Sequence, residues 1–157
     1  MILQISNLTE DHAKQICNWK YPGVYSIYNY PSWEFIKRNN WAITNIDRRK
    51  NEFYSVLNEQ NLLFGFFRIL PIQNKLILGL GIAPEFCGYG FGHDFVELIT
   101  KYTQNKFPLQ KIYMEVREFN KRAMKCYESV GYVNVEKYYK ETPIGGSDFF
   151  LFEYKND

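Results

Sequence analysis

A chain of 157 residues, 46% hydrophobic and 23% charged, has the length and balance of one globular domain and is too apolar to remain disordered. Its net charge of +2 comes from scattered Lys and Arg, not from one basic face, which argues against a nucleic-acid reader. Three cysteines (Cys17, Cys87, Cys126) without CxxC spacing argue against a disulfide framework and a zinc site, and no run nears the roughly 18 apolar residues of a membrane span.

The N-terminus lacks a basic leader, and neither repeats nor a linker-like tract interrupt the chain. A single cytoplasmic domain over residues 1–157 is expected. Residues Ile2 to Ser6 alternate like a short strand. Thr9 is a candidate N-cap, followed by Glu10 and Asp11 in the first turn and by Ala13, Ile16 and Cys17 at helical spacing, so a helix is predicted to about Trp19. His12 reads as a surface residue of that helix. Tyr21-Pro22-Gly23 breaks it, and Ser32 is placed to cap a second helix after Pro31.

The stretch from Trp19 to Trp41 is unusually aromatic. It reads either as core or as the lining of a cleft. Asp47-Arg48-Arg49-Lys50 reads as a solvated loop, with a phosphate or acidic-partner contact as the alternative. Three strands follow, Phe53 to Leu57, Leu62 to Ile69 and Leu76 to Ile82. They are joined by turns at Asn58 to Asn61 and Pro71 to Asn74, and such close spacing predicts antiparallel pairing. Phe91, Phe95, Leu98, Ile99 and Tyr102 then recur at i, i+4, i+7, i+8 and i+11, the stripe of an amphipathic helix. Ile112 to Val116 is a strand. Asn120 and Gly131 bracket a helix carrying Ala123, Cys126, Tyr127 and Val130, and two last strands, Tyr132 to Lys140 and Phe149 to Tyr154, flank a Gly145-Gly146 turn. The order β-α-α-β-β-β-α-β-α-β-β predicts an α/β (α+β) fold with a mixed, mostly antiparallel sheet and helices on both faces.

The most informative stretch is Pro84-Glu85-Phe86-Cys87-Gly88-Tyr89-Gly90-Phe91-Gly92-His93. Three alternating glycines lie between a strand and the mouth of a helix. Glycine lets the main chain curl with its N–H groups inward, and the helix terminus adds positive potential, so this turn suits a pyrophosphate. A Walker loop would need Gly-Lys-Ser/Thr, and a dinucleotide loop would need GxGxxG after a parallel strand.

Here the sequence resembles the GNAT superfamily of N-acetyltransferases. Gly90 and Gly92 match the small positions of its acetyl-CoA signature, and Pro84-Glu85-Phe86 matches the usual lead-in. The pattern Glu115-Val116-Arg117-x-x-Asn120-x-x-Ala123-x-x-x-Tyr127-x-x-x-Gly131-Tyr132 is similar to the branch that acetylates the N-terminal amine of ribosomal proteins. One position departs: Cys87 stands where the family carries Gln or Arg, so no charged side chain of the turn itself reaches the phosphates. Cys87 reads as a packed thiol or a reactive one.

The resemblance implies a seven-stranded sheet in which the strand ending at Ile82 splays from a parallel neighbour, Ile112 to Val116. It implies acetyl-CoA as co-substrate, with no metal: the pantetheine arm on Leu80, Gly81 and Ile82, and the pyrophosphate on Cys87, Gly88, Tyr89, Gly90, Phe91, Gly92 and His93. Asn120, Ala123 and Tyr127 would complete the coenzyme contacts. Acetyl transfer needs the amine deprotonated, a donor for the oxyanion and a proton for the departing thiolate. Tyr127, a phenol with an ordinary pKa of about 10, is the candidate acid. Glu115, whose side chain points away from those of Met114 and Val116, is the candidate base or else an ion-pair partner of Arg117 or another base on the sheet. The Ile82 N–H is the candidate oxyanion donor. The acceptor is a small-molecule amine, or a protein N-terminus or lysine, and the assembly a monomer or a homodimer. The alternative is a non-catalytic CoA-binding or interaction module.

Overall fold

The computed structural model describes residues 1–155. Its strands are β1 (Gln4–Asn7), β2 (Phe53–Leu57), β3 (Leu63–Ile72), β4 (Lys75–Ile82), β5 (Lys111–Arg117), β6 (Tyr132–Lys140) and β7 (Ser147–Tyr154), and its helices are α1 (Glu10–Cys17), α2 (Trp33–Arg38), α3 (Ile46–Glu52), α4 (Gly92–Lys106) and α5 (Lys121–Val130). The strands lie in the order β1-β2-β3-β4-β5-β7-β6, a mixed and mostly antiparallel sheet of seven. Its one parallel pair runs from Lys75 opposite Lys111 to Leu78 opposite Met114; β4 continues to Ile82 and β5 to Arg117.

The chain divides into two compact units. The first comprises Met1–Arg68 and Leu80–Cys87, and the second Ile69–Gly79 and the chain from Gly88 onward. In the first unit, α1 is closed by a reciprocal cap: the Thr9 hydroxyl accepts the His12 N–H at 3.1 Å, and His12 Nδ1 accepts the Thr9 N–H at 3.4 Å. The Ser55 hydroxyl also lies 2.7 Å from His12 Nδ1, and burial lowers the His12 pKa. His12 is therefore not a plain surface residue. It ties α1 to β2.

The segment Asp47 to Lys50 is not a loop. It lies in α3, which Asn45 caps through a bond from the Arg48 N–H. The helix buries an arginine: Arg49 is 7% exposed, with its guanidinium donating to the Ile43 carbonyl at 3.0 Å, while Ile46 is 63% exposed. Glu52, at the end of α3, receives Arg48 and Arg68. Burial would raise its pKa, but those two guanidiniums outweigh burial and hold it below the usual range. The aromatic stretch serves chiefly as core. Trp19, Tyr30, Trp33 and Trp41 pack on a cluster that includes Ile16, Ile36, Ile43 and Phe66.

In the second unit, β3 runs past Pro71 to Ile72, so the turn before β4 is shorter than the Pro71 to Asn74 span expected; Gln73 takes it with φ of 55°. Helix α4 buries Phe95, Val96 and Ile99, and α5 buries Met124, Tyr127 and Val130. Fully burying each of the larger apolar side chains stabilises the fold by roughly 1.5–3 kcal/mol before entropy is counted. The hydroxyls of Thr100 on α4 and Tyr132 on β6 meet at 2.7 Å in this interior.

Candidate active site

The turn ahead of α4 is shaped by main-chain conformation. Gly88 and Gly90 have φ of +83° and +81°, a region that L side chains rarely adopt, and a Cβ on either would find no atom within 4 Å. These positions need glycine for conformation, not for space. Gly92 differs: a Cβ there would stand 3.1 Å from Cys126 Sγ, so its bareness lets α4 begin close against α5. No side-chain hydrogen bond caps the N-terminus of α4, a helix of 15 residues. Its first-turn amides and dipole suit an anion.

His93 does not stand apart in this turn. Its Nδ1 lies 2.8 Å from Ser129 Oγ, and Nε2 lies 3.5 Å from Glu97. The Ser129 hydroxyl donates to the Cys126 carbonyl at 2.6 Å, which leaves His93 Nδ1–H as the donor to Ser129. Tyr89 is 71% exposed, its ring 6.2 Å from that of Phe91.

The end of β4 belongs to the first unit. A Cβ on Gly81 would come within 2.7 Å of the Phe66 ring. The Ile82 carbonyl accepts the Tyr21 hydroxyl at 2.7 Å, and the Cys87 thiol points at the Ile82 and Ala83 carbonyls, 3.6 Å from each. Cys87 is thus turned onto the main chain of its own segment. Elsewhere, burial raises the Cys17 thiol and pushes Cys126 up to about 11, so both favour the protonated, unreactive form.

Asn120 caps α5 by accepting the Ala123 N–H at 3.1 Å. Tyr127 lies two turns further on, 8% exposed, with its ring 6.1 Å from those of Tyr132 and Phe152. Glu115 on β5 stands between buried Met114 and Val116 but faces the other side of the sheet. Its carboxylate accepts the Tyr138 hydroxyl and pairs with Lys140 Nζ at 2.9 Å. Arg117 is otherwise engaged, stacked 4.9 Å over Phe149 and bonded to the Thr142 hydroxyl.

The second unit therefore brings together the glycine turn, the start of α4 and Cys126 and Ser129 of α5, and separately joins Glu115 to β6. Lys140 on β6 is the other base on the sheet expected as a partner of Glu115, whereas the partners Tyr21, Ser129 and Tyr138 were not assigned from the sequence. Only the alternation of Glu136, Tyr138 and Lys140, which puts them on one face of a strand, could have signalled Tyr138.

The acetyltransferase (GNAT) domain model matches residues 3–133. The chain belongs to this family. Acyl-CoA-dependent N-acetyl transfer, with acetyl-CoA as co-substrate, is the family's chemistry, and the bare, uncapped turn of this GNAT domain fits a coenzyme diphosphate. No curated protein matches the sequence. Among solved structures, a chimera of spermidine N-acetyltransferase SpeG from Vibrio cholerae and hSSAT is 23% identical, with a TM-score of 0.76 over 96% of this chain and 93% of that one. Vibrio cholerae SpeG in complex with manganese ions is 22% identical, with a TM-score of 0.71 over 96% and 91%. At this identity they establish the shared GNAT fold, and they do not bring out the ribosomal-protein branch. Among the described residues no group of three or more His, Cys, Asp or Glu could hold a metal ion, and no helix is long and apolar enough to cross a membrane. A shallow depression beside α5, lined by Lys121, Met124, Tyr132, Phe150 and Phe152, takes in none of the candidate catalytic or coenzyme-binding residues.

Proposed function

We propose that this GNAT domain acetylates the primary amine of a small cationic molecule. The observation that carries the coenzyme half of this reading is the glycine turn, left-handed at Gly88 and Gly90 ahead of an uncapped helix. Main-chain N–H groups of Gly88 to His93 receive the diphosphate, and Leu80, Gly81 and Ile82 offer main-chain groups to the pantetheine amides. Without a charged side chain at Cys87, the amides and the helix terminus carry that charge alone. The family match draws on both units, in keeping with one working domain over residues 1–157, of which the last two lie outside the described residues.

Acetyl-CoA supplies an activated thioester. The amine nitrogen bonds to the acetyl carbon, the carbon–sulfur bond breaks, and the residues here manage the protons. Glu115 accepts the proton that the amine sheds, through water; Tyr127 donates its phenolic proton to the departing sulfur; the Ile82 N–H bonds the oxyanion. A small cationic acceptor is supported by the spermidine named for the fold neighbours and by a carboxylate that already holds an ammonium. A protein N-terminus or lysine is the second reading, favoured by the Glu115 to Tyr127 spacing.

Coenzyme release from acetyl-CoA against a panel of polyamines, monoamines and peptides tests both. Turnover with free amines is expected. Turnover with peptides alone would select the second reading, and coenzyme binding without turnover on any acceptor would replace catalysis with a binding role.

A further inference from the structure

Strands β5, β7 and β6 bring one face of the sheet to Glu115 in a fixed register. Leu151 on β7 stands opposite both Glu115 and Glu136, Phe149 stands opposite both Arg117 and Tyr138, and Ser147 stands opposite Lys140. Glu115, Tyr138 and Lys140 therefore share a face and meet diagonally across β7. Between them β7 presents Phe149 and Leu151, only 8% and 5% exposed, with the Arg117 guanidinium 4.9 Å over the Phe149 ring. Lys140 Nζ stands 5.6 Å over the Phe149 ring as well as 2.9 Å from Glu115. A carboxylate with an aromatic ring beside it is what an alkylammonium requires.

The three side chains differ in how firmly they are held. Glu115 is 22% exposed, and Tyr138 is half-buried, its phenol kept protonated by burial and by the bond to Glu115. Lys140 is 46% exposed, on a flexible stem at the end of β6. An ion pair with one partner this exposed contributes little and exchanges easily. Tyr138 fixes the carboxylate, whereas Lys140 is a removable guest. Both lie beyond residues 3–133, the part matched by the family model.

We infer that Lys140 occupies the acceptor's ammonium position at Glu115, so that an amine enters by displacing it, with Tyr138 as the positioning residue. This rests on the reading of Glu115 as the group that meets the amine. It makes Lys140 a specificity device. A monoamine that binds only as strongly as Lys140 gains little from the exchange, while a diamine or longer polyamine has a second ammonium with which to outcompete it.

The test is calorimetric titration of 1,4-diaminobutane into the coenzyme-loaded protein, with acetyl transfer measured in parallel. Lys140→Met should bind the diamine roughly two- to fivefold more tightly, the range expected from removing a half-exposed competing pair, with KM lowered to match. Lys140→Arg, which keeps the pair, should stay near wild type. Lys137→Met removes the same charge from the other face of β6, where Lys137 pairs with Glu118, and should change nothing. Combining Glu115→Gln with Lys140→Met should erase the gain. Equal affinity in wild type and Lys140→Met, an equal gain in Lys137→Met, or no diamine binding to either would overturn the inference. If the wild type transfers acetyl to no amine and Lys140→Met still tightens binding, the ammonium position stands and the catalytic reading fails.

Discussion

The turn ahead of α4 and the stretch around α2 are both poor in long regular elements, yet they are built by opposite means. At Gly88 and Gly90 the chain keeps side chains away, leaving open space and a main chain in a left-handed conformation. Between Trp19 and Trp41 it crowds them in: Tyr30 lies edge-on to Trp41 and to Phe66, and burial pushes its phenol up to about 12. On the proposed reading the first region functions through backbone donors, and any added side chain threatens it. The second is held by packing, and there volume matters more than chemistry. An anion site can therefore be destroyed without unfolding, whereas the aromatic layer fails through stability first.

The sharpest break of this contrast is Gly90→Glu. Open space around the position lets the fold survive, while a carboxylate enters the diphosphate site in a strained conformation. Loss of coenzyme binding by calorimetry, with a retained unfolding transition, is expected; wild-type affinity would remove the turn from the site. Next in size is Tyr127→Phe, expected to lower turnover by about ten- to a thousandfold, the usual worth of general acid catalysis, with coenzyme affinity retained. Unchanged single-turnover rates would reduce Tyr127 to a packing residue against Tyr132 and Phe152.

On the packing side, Gly81→Ala drives a methyl to within 2.7 Å of the Phe66 ring. Overpacking of this kind costs about 1–3 kcal/mol, readable as a lower urea midpoint. A wild-type midpoint would mean that the ring yields freely. The smallest effect concerns His12, whose folded pKa is lowered from 6.5 by burial. The unfolded chain takes up a proton near pH 6.5 that the folded chain resists, so stability is full above that pH and declines as pH falls toward the folded value. His12→Gln, which can keep the reciprocal cap, should flatten this decline; an unaltered pH profile would show that His12 does not set it.

Much of the architecture was legible because local chemistry and global fold agree. Phe53 to Leu57 is the observed β2, and Asn120 and Gly131 close α5 as their residue types require. Helix α3 was illegible because its burial is inverted: it hides Arg49 and exposes Ile46, so charge density read as solvent. The left-handed turn ahead of α4 could be read because its alternating glycines stand in one short stretch. Which sheet residues meet Glu115 could not be fixed, because Tyr138 and Lys140 lie 23 and 25 residues away and reach it only through the β5–β7–β6 register. Likewise, the bond from Tyr21 to the Ile82 carbonyl spans 61 residues and leaves no mark in either local pattern.

The most direct measurement is a crystal structure with coenzyme A bound. A coenzyme site at the glycine turn requires the diphosphate oxygens within hydrogen-bonding distance of main-chain N–H groups between Gly88 and His93, with the Gly88 and Gly90 φ angles still positive. A diphosphate seated elsewhere, with those amides bonded to the protein itself, would contradict it.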